Sequence, residues 1–228
     1  MRLFLIFIFL LGACCANAQE ADTRHGLKSF DEIESDTMHH GFTYDCRMNK
    51  ESDVIFKIFK DGTLFQQFNV GYVYLGEGPD GNEYVHIVDV NFDGYADYIA
   101  GMDFPRYGMA VVIYNPESEK FEWSDDYLLQ SPMFDVENKA IYNLSADGPI
   151  QMIIRKFVPF GTGIKNVGML RITADVEMFN EHADPEFQVK HKYDFLDPDE
   201  ISLAGYDTFD KLPEAWRNVL EAMQMADY

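Results

Sequence analysis

The sequence has 228 residues with 39 acidic and 18 basic side chains, which gives a formal net charge of −21 at pH 7. The negative charge repels phosphate backbones, so we do not expect nucleic acid as a partner. It attracts basic proteins and cations. Hydrophobic residues make up 47% of the chain and aromatic residues 15%, so a sizeable core can form.

The first 18 residues have the pattern of a signal peptide. Arg2 provides a positive charge, an apolar run extends from Leu3 to Leu11, and Ala16-Asn17-Ala18 has the small-x-small form that signal peptidase cleaves. The run is shorter than the ~20 residues that span a bilayer, so we expect no transmembrane helix. A second reading stays open, because Leu11-Gly12-Ala13-Cys14 has the form of a lipobox. Cleavage after Ala18 predicts a periplasmic or secreted protein, and acylation of Cys14 predicts an outer-membrane lipoprotein.

Residues 19–37 are polar and lack a sustained period, so they predict a flexible arm. From residue 38 onward the sequence alternates between apolar and polar residues, and we expect residues 38–228 to form a single β-rich domain. Two of the alternating runs flank Asp61-Gly62, which is the strongest short signal for a β-hairpin. The predicted strands cover residues 41–48, 53–60, 63–70, 83–90, 98–102, 107–114, 120–123, 139–145, 150–158, 168–173 and 187–193.

Cys46 is the only cysteine after residue 18, so no disulfide can form within the predicted domain. It alternates with Phe42, Tyr44 and Met48, which is the period of a strand. We expect a buried structural thiol, and the alternative is a reactive one.

The last predicted element is an α-helix. Pro213 suits a first helical turn, and Trp216, Val219, Leu220 and Met223 follow at positions i, i+3, i+4 and i+7. Many short strands followed by one helix predict an all-β fold, either an antiparallel sandwich or a propeller-like sheet protein with a C-terminal α-helix.

The connection between the predicted strands 83–90 and 98–102 has the spacing of a calcium-binding loop. Oxygen-bearing side chains occur at positions 1, 3, 5 and 9, and Gly94 at position 6 permits a sharp turn that aims the carbonyl of Tyr95 at the same centre. An oxygen-only donor set favours Ca²⁺ over zinc or copper. The loop departs from an EF-hand, because Ala100 stands where a bidentate Glu is expected. An Asx-rich turn without a metal is the alternative. The candidate side-chain ligands are Asp89, Asn91, Asp93 and Asp97.

The sequence contains none of the usual catalytic motifs. Its six histidines form no HExxH motif, and it has no Gly-x-Ser-x-Gly elbow, no P-loop and no dinucleotide fingerprint. Carboxylates are too abundant for a glycosidase pair to be singled out. We therefore expect a binding protein and not an enzyme.

Three segments together are similar to those of a known family. They are Val88-Asp89-Val90-Asn91-Phe92-Asp93-Gly94-Tyr95-Ala96-Asp97, Tyr114-Asn115-Pro116-Glu117-Ser118-Glu119-Lys120-Phe121-Glu122 and Ser131-Pro132-Met133-Phe134-Asp135. In these segments the chain resembles the FG-GAP-like calcium-binding envelope proteins, which include immunity proteins against secreted peptidoglycan hydrolases. That family is similar in fold to the periplasmic inhibitors of invertebrate-type lysozyme.

The resemblance implies that calcium is held by Asp89, Asn91, Asp93, the carbonyl of Tyr95 and Asp97. It also implies an inhibitor or immunity function against a lysozyme-like peptidoglycan hydrolase. Such hydrolases are often basic, and an acidic inhibitor would meet them faster. The lysozyme inhibitors use a short Ser-Gly loop that ends in Tyr, and this chain has only Ser202-Leu203-Ala204-Gly205-Tyr206, in which the spacing differs.

A second hypothesis is a calcium-stabilised module that binds glycans or cell surfaces. Aromatic side chains in predicted loops could stack on sugar rings. They are Tyr72, Tyr74, Phe104, Tyr107 and Phe160.

Overall fold

The computed structural model describes residues 25–33, 41–50, 53–71, 73–75, 80–102, 108–124, 128–146, 151–174, 191–196, 202–206 and 208–223. The strands are β1 (Leu27–Lys28), β2 (Phe42–Met48), β3 (Val54–Lys60), β4 (Thr63–Asn69), β5 (Val85–Val88), β6 (Asp97–Ala100), β7 (Ala110–Asn115), β8 (Lys120–Trp123), β9 (Pro132–Asp135), β10 (Ala140–Ala146), β11 (Gln151–Phe160), β12 (Gly163–Ala174), β13 (His191–Leu196) and β14 (Ser202–Tyr206). The α-helices are α1 (Phe30–Ile33) and α2 (Glu214–Ala222).

The strands form three antiparallel sheets. A seven-stranded sheet has the order β1-β9-β10-β11-β12-β13-β14, a three-stranded sheet the order β2-β3-β4 and a four-stranded sheet the order β5-β6-β7-β8. The predicted all-β antiparallel class with a C-terminal α-helix is confirmed. None of the helices in the described part of the chain is long and apolar enough to cross a membrane.

The chain divides into two compact units. The first contains the described residues within 1–27, 144–156 and 166–228, and the second contains those within 28–143 and 157–165. The candidate calcium loop lies in the second unit. The single domain expected over residues 38–228 stays a prediction, and the predicted signal peptide and Cys14 lie outside the described residues.

In the second unit, the two central strands of the four-stranded sheet, β6 and β7, are buried on both faces. Tyr98 and Ala100 of β6 belong to one hydrophobic cluster, while Ile99 between them belongs to another. In β7 likewise, Val112 lies in the first cluster and Val111 in the second. Successive side chains of a strand point to opposite faces, so a strand that is apolar at every position serves two cores at once.

The predicted hairpin at Asp61-Gly62 is present between β3 and β4. Asp61 has φ 53° and Gly62 has φ 75°, and Lys60 pairs with Thr63. A two-residue turn with positive φ at both positions matches the twist of the flanking strands, which is why Asp-Gly is favoured there. The predicted helix is also confirmed, since Val219, Leu220 and Met223 of its apolar stripe are buried.

Several elements differ from the sequence prediction. Residues 25–33, assigned to a flexible arm, contain β1 and α1, and Leu27 is only 5% exposed. The short strand β9 was not expected, because it begins with a proline, which is unusual inside a strand. The segment Ser202–Tyr206, to which no strand was assigned, is the strand β14 paired with β13. Small residues such as Ala204 and Gly205 make a strand hard to predict from sequence, because they weaken the alternation of apolar and polar residues.

Cys46 is fully buried, and burial raises the pKa of its thiol from 9.0 to about 12, with the negative charges of Asp45 and Asp80 adding to the shift. The thiolate is the reactive form, and its population at pH 8 is therefore very small in the folded protein.

For the chain lacking residues 1–18, we expect no reaction of Cys46 with Ellman's reagent at pH 8 until guanidinium is added. One thiol then reacts, and a Cys46→Ser variant gives no signal. Rapid labelling of the folded protein would contradict a structural role for this thiol.

Candidate metal centre

The candidate loop connects β5 to β6, and both of its ends are fixed by the core. Val88 and Val90 are fully buried, and Val88 pairs with Asp97 across the two strands. Between these ends the backbone adopts positive φ at Phe92 (57°) and Gly94 (90°). The loop is therefore a closed turn, and its backbone conformation sets the directions of its side chains.

The Asp89 carboxylate organises the first half of the loop. Its Oδ1 accepts a hydrogen bond from the Asp93 N–H at 2.9 Å, and its Oδ2 accepts one from the Gly94 N–H at 2.7 Å. Partial burial raises the pKa of Asp89 above its usual value, and the neighbouring charge of Asp93 also raises it, while these N–H groups partly offset both effects. Burial thus disfavours the ionised form of the carboxylate at position 1 of the loop.

Asn91 links the loop to a distant strand connection. Its Oδ1 accepts a hydrogen bond from the Asp93 N–H at 3.2 Å, and its Nδ2 donates to Asp93 Oδ2 and to the Thr162 carbonyl, both at 2.9 Å. Asp93 Oδ1 accepts the Tyr95 N–H at 2.9 Å. The amide is 4% exposed, so its orientation is determined by these three bonds.

Asp97 lies inside the fold. Its side chain is fully buried, and its Oδ2 and Oδ1 accept hydrogen bonds from the Val90 N–H at 2.8 Å and the Tyr114 N–H at 2.7 Å. Burial raises the pKa of Asp97 well above its usual value, the two N–H groups lower it, and the charges of Asp93 and Asp89 raise it further. The carboxylate fastens the start of the loop to β7.

The structure therefore joins Asp89, Asn91 and Asp93 through shared hydrogen bonds, and it places Asp97 deeper, behind the loop. Among the described residues, no three His, Cys, Asp or Glu side chains converge as a group that could hold a metal ion. Each oxygen of Asp89 accepts one hydrogen bond in the bonds described above, and a carboxylate oxygen has two lone pairs, so donor capacity remains. The oxygen-only chemistry of the loop fits a hard cation such as Ca²⁺.

Two contacts of the loop were missed by sequence reasoning. The Thr162 carbonyl accepts the Asn91 amide, and the Lys139 ammonium donates to the Phe92 carbonyl at 3.3 Å. These partners lie 71 and 47 residues away along the chain. No local spacing could have indicated them, because only the folding of β9–β12 brings them to the loop.

No known family profile matches the sequence, and no curated protein matches it. One similar solved structure is described as "Structure of a Xanthomonas Type IV Secretion System related protein". It is 15% identical, with a TM-score of 0.41, and the match covers 83% of this chain and 97% of that chain. A similarity of this size defines neither a family nor a function.

Gly94→Ala tests whether the loop conformation depends on its glycine. A Cβ at Gly94 would meet no atom within 4 Å, so the cost comes only from its φ of 90°. We expect the free energy of unfolding to fall by about 1–2 kcal/mol in urea denaturation. Gly168→Ala is the matched control, because that site is equally open and lacks positive φ. It should leave the protein equally stable or up to about 1 kcal/mol more stable. Equal effects at the two glycines would show that the turn does not need positive φ.

Proposed function

We propose that this chain is an exported calcium-binding protein that inhibits a lysozyme-like peptidoglycan hydrolase, as an immunity protein does. The observation that carries the calcium part is the arrangement of Asp89, Asn91 and Asp93 in one closed β-connection. In the described part of the chain, no lysine or arginine forms an ion pair with Asp89, Asp93 or Asp97. The Lys139 ammonium donates to the Phe92 carbonyl of the loop, and a cation bound at the carboxylates would neutralise their negative charge.

Electrostatics favours a cation at this position. The pKa values of Asp89 and Asp97 are raised by burial and by the repulsion between like charges. A bound Ca²⁺ would supply the positive charge that stabilises the ionised carboxylates. Asp89, Asn91 and Asp93 would hold it through side-chain oxygens, with the Tyr95 carbonyl and Asp97 as the remaining candidates from the loop.

The proposed role of calcium is structural. Asp97 ties the loop to the Val90 and Tyr114 N–H groups, and Asn91 ties it to the Thr162 carbonyl. A cation that orders residues 89–97 would thereby also order their connections to β7 and to the turn between β11 and β12. A ligand that binds only the folded state stabilises that state.

The inhibitor part of the proposal is supported by charge and by the sequence resemblance. The net charge of −21 would attract a basic hydrolase and speed its encounter with the chain. The three segments shared with the envelope immunity proteins, the signal-peptide pattern and the lack of a catalytic motif all agree with a binding role in the cell envelope. In this role the chain acts by binding and not by catalysis, whether it is free or lipidated at Cys14.

Calcium should raise the melting temperature of the protein. With a dissociation constant of ~0.1–1 mM, as in extracellular modules, 10 mM Ca²⁺ would add about 1.4–2.7 kcal/mol. For a protein of this size we expect a rise of about 3–10 °C over the value in EGTA, measured by differential scanning calorimetry.

The matched variants for that experiment are Asp93→Asn and Asp61→Asn. Asp93→Asn removes a loop charge and should abolish most of the calcium-dependent rise. Asp61→Asn makes the same chemical change in the β3–β4 turn, which Asn accommodates equally well, and should leave the rise intact. A melting temperature that is the same in Ca²⁺ and EGTA would refute the calcium part of the proposal.

The inhibitor part predicts that the chain protects cell walls from lysis. The turbidity assay uses chicken-, goose- and invertebrate-type lysozymes and a hydrolase encoded beside the gene. We expect stoichiometric inhibition of at least one of these enzymes. Raising the salt from 0.05 to 0.5 M should slow association, since the steering is electrostatic. Undiminished lysis by every enzyme, with no complex in gel filtration, would refute inhibition.

One observation favours the second candidate function, a glycan-binding module. Phe160, one of the five candidate aromatic residues, is 65% exposed at the end of β11. Tyr74 is partly buried, and Tyr72, Phe104 and Tyr107 lie outside the described residues. Binding to immobilised glycans without inhibition of any hydrolase would select this function instead.

A further inference from the structure

The turn between β11 and β12 presents an aromatic ring to solvent. We call residues Phe160–Lys165 the hairpin tip. Phe160 is the most exposed large hydrophobic side chain in the described part of the chain, at 65%. The Lys165 ammonium lies 5.1 Å from the centroid of its ring. The hairpin tip thus presents a large apolar ring and an ammonium group side by side at the surface.

The hairpin tip is held in place by core packing and by a hydrogen bond. Phe157 and Ile164 are 5% and 3% exposed and belong to the same hydrophobic cluster as Val90. The Thr162 carbonyl accepts the Asn91 amide at 2.9 Å, which ties the turn to the candidate calcium loop. A rigid support reduces the conformational entropy that Phe160 would lose when it docks against a partner.

The charge of the hairpin is opposite to that of the whole chain. Residues 151–174 contain four basic side chains and no acidic one, whereas the chain carries 39 acids and a net charge of −21. At the tip itself the exposed charge is that of Lys165. The complementary surface is therefore an apolar slot bordered by carboxylates, although the rest of the chain favours a basic partner.

A hydrolase that cleaves glycan chains has such a surface. Two carboxyl groups flank the scissile bond in most glycoside hydrolases, and ligand clefts are lined by aromatic and apolar side chains. We infer that the hairpin tip is the element that enters the cleft of the hydrolase, with Phe160 on an apolar subsite and Lys165 facing a carboxylate. This inference rests on the proposed inhibitor function and identifies the residues that perform it.

Variants at the tip test the inference in the full chain. With each lysozyme that the wild type inhibits, Phe160→Ala and Lys165→Glu should each weaken inhibition at least about tenfold, which corresponds to 1.4 kcal/mol. Both side chains are exposed, so the melting temperature should not change. Matched controls are Val136→Ala and Lys120→Glu, which alter an exposed apolar and an exposed basic side chain elsewhere in the same unit. These controls should inhibit as the wild type does.

A second measurement distinguishes entry into the cleft from docking elsewhere on the enzyme. Chitotriose occupies the cleft of a lysozyme, so it should compete with the wild-type chain in surface plasmon resonance and raise its apparent dissociation constant. Competition together with weakened tip variants supports the inference. Inhibition that survives both tip variants, or binding that chitotriose does not weaken, overturns the inference while the inhibitor function stands.

The remaining outcomes also decide the question. If the wild type inhibits none of the hydrolases, the proposed function fails and the inference fails with it. If Phe160→Ala instead abolishes retention of the chain on immobilised chitooligosaccharides, the tip recognises sugar and the inference is overturned in favour of a glycan-binding surface.

Discussion

The buried carboxylate of Asp97 is the constraint on which the organisation of the candidate site depends. A fully buried carboxylate is unfavourable unless its oxygens accept strong hydrogen bonds, and here the Val90 and Tyr114 N–H groups provide them. The hydrogen bond from Val90 closes the loop at its base, and the one from Tyr114 joins the loop to β7. The raised pKa of Asp97 shows that burial still disfavours its ionised form in spite of these two hydrogen bonds.

The four-stranded sheet gives the loop a rigid base. Because β6 and β7 are apolar on both faces, they are held between two hydrophobic clusters and cannot shift without opening both. The loop connects β5 to β6 at the end of this sheet, so its backbone geometry is inherited from the core. Through Asn91 and the Thr162 carbonyl, the same geometry extends to the hairpin tip. The proposed cation site and the proposed docking element are thus connected directly, by the hydrogen bond from the Asn91 amide to the Thr162 carbonyl.

Local patterns predicted the elements whose stability is local. The Asp61-Gly62 hairpin followed from the need for positive φ at two successive positions, and the C-terminal helix followed from the spacing of its buried stripe. The strands β2, β3 and β4 were predicted within one residue of their observed bounds, whereas β12 begins at Gly163, five residues before the predicted start at residue 168. The strands β9 and β14 were missed, because a proline or small residues weaken the pattern and their pairing comes from partners elsewhere in the sheet.

The sequence by itself determined the acidic charge, the antiparallel β class and the oxygen donors spaced along residues 89–97, since each depends on residue type and near spacing. The tertiary structure alone decided that Asp97 is buried behind the loop, that Asn91 bonds to Thr162 and that Phe160 stays exposed beside Lys165. The contact between Asn91 and Thr162 joins residues that lie 71 positions apart in the chain, so the sequence carries no local signal for it. The burial of Asp97 likewise depends on β7, whose Tyr114 N–H it accepts. The sequence had placed Phe160 in a loop, and the structure added its contact with Lys165.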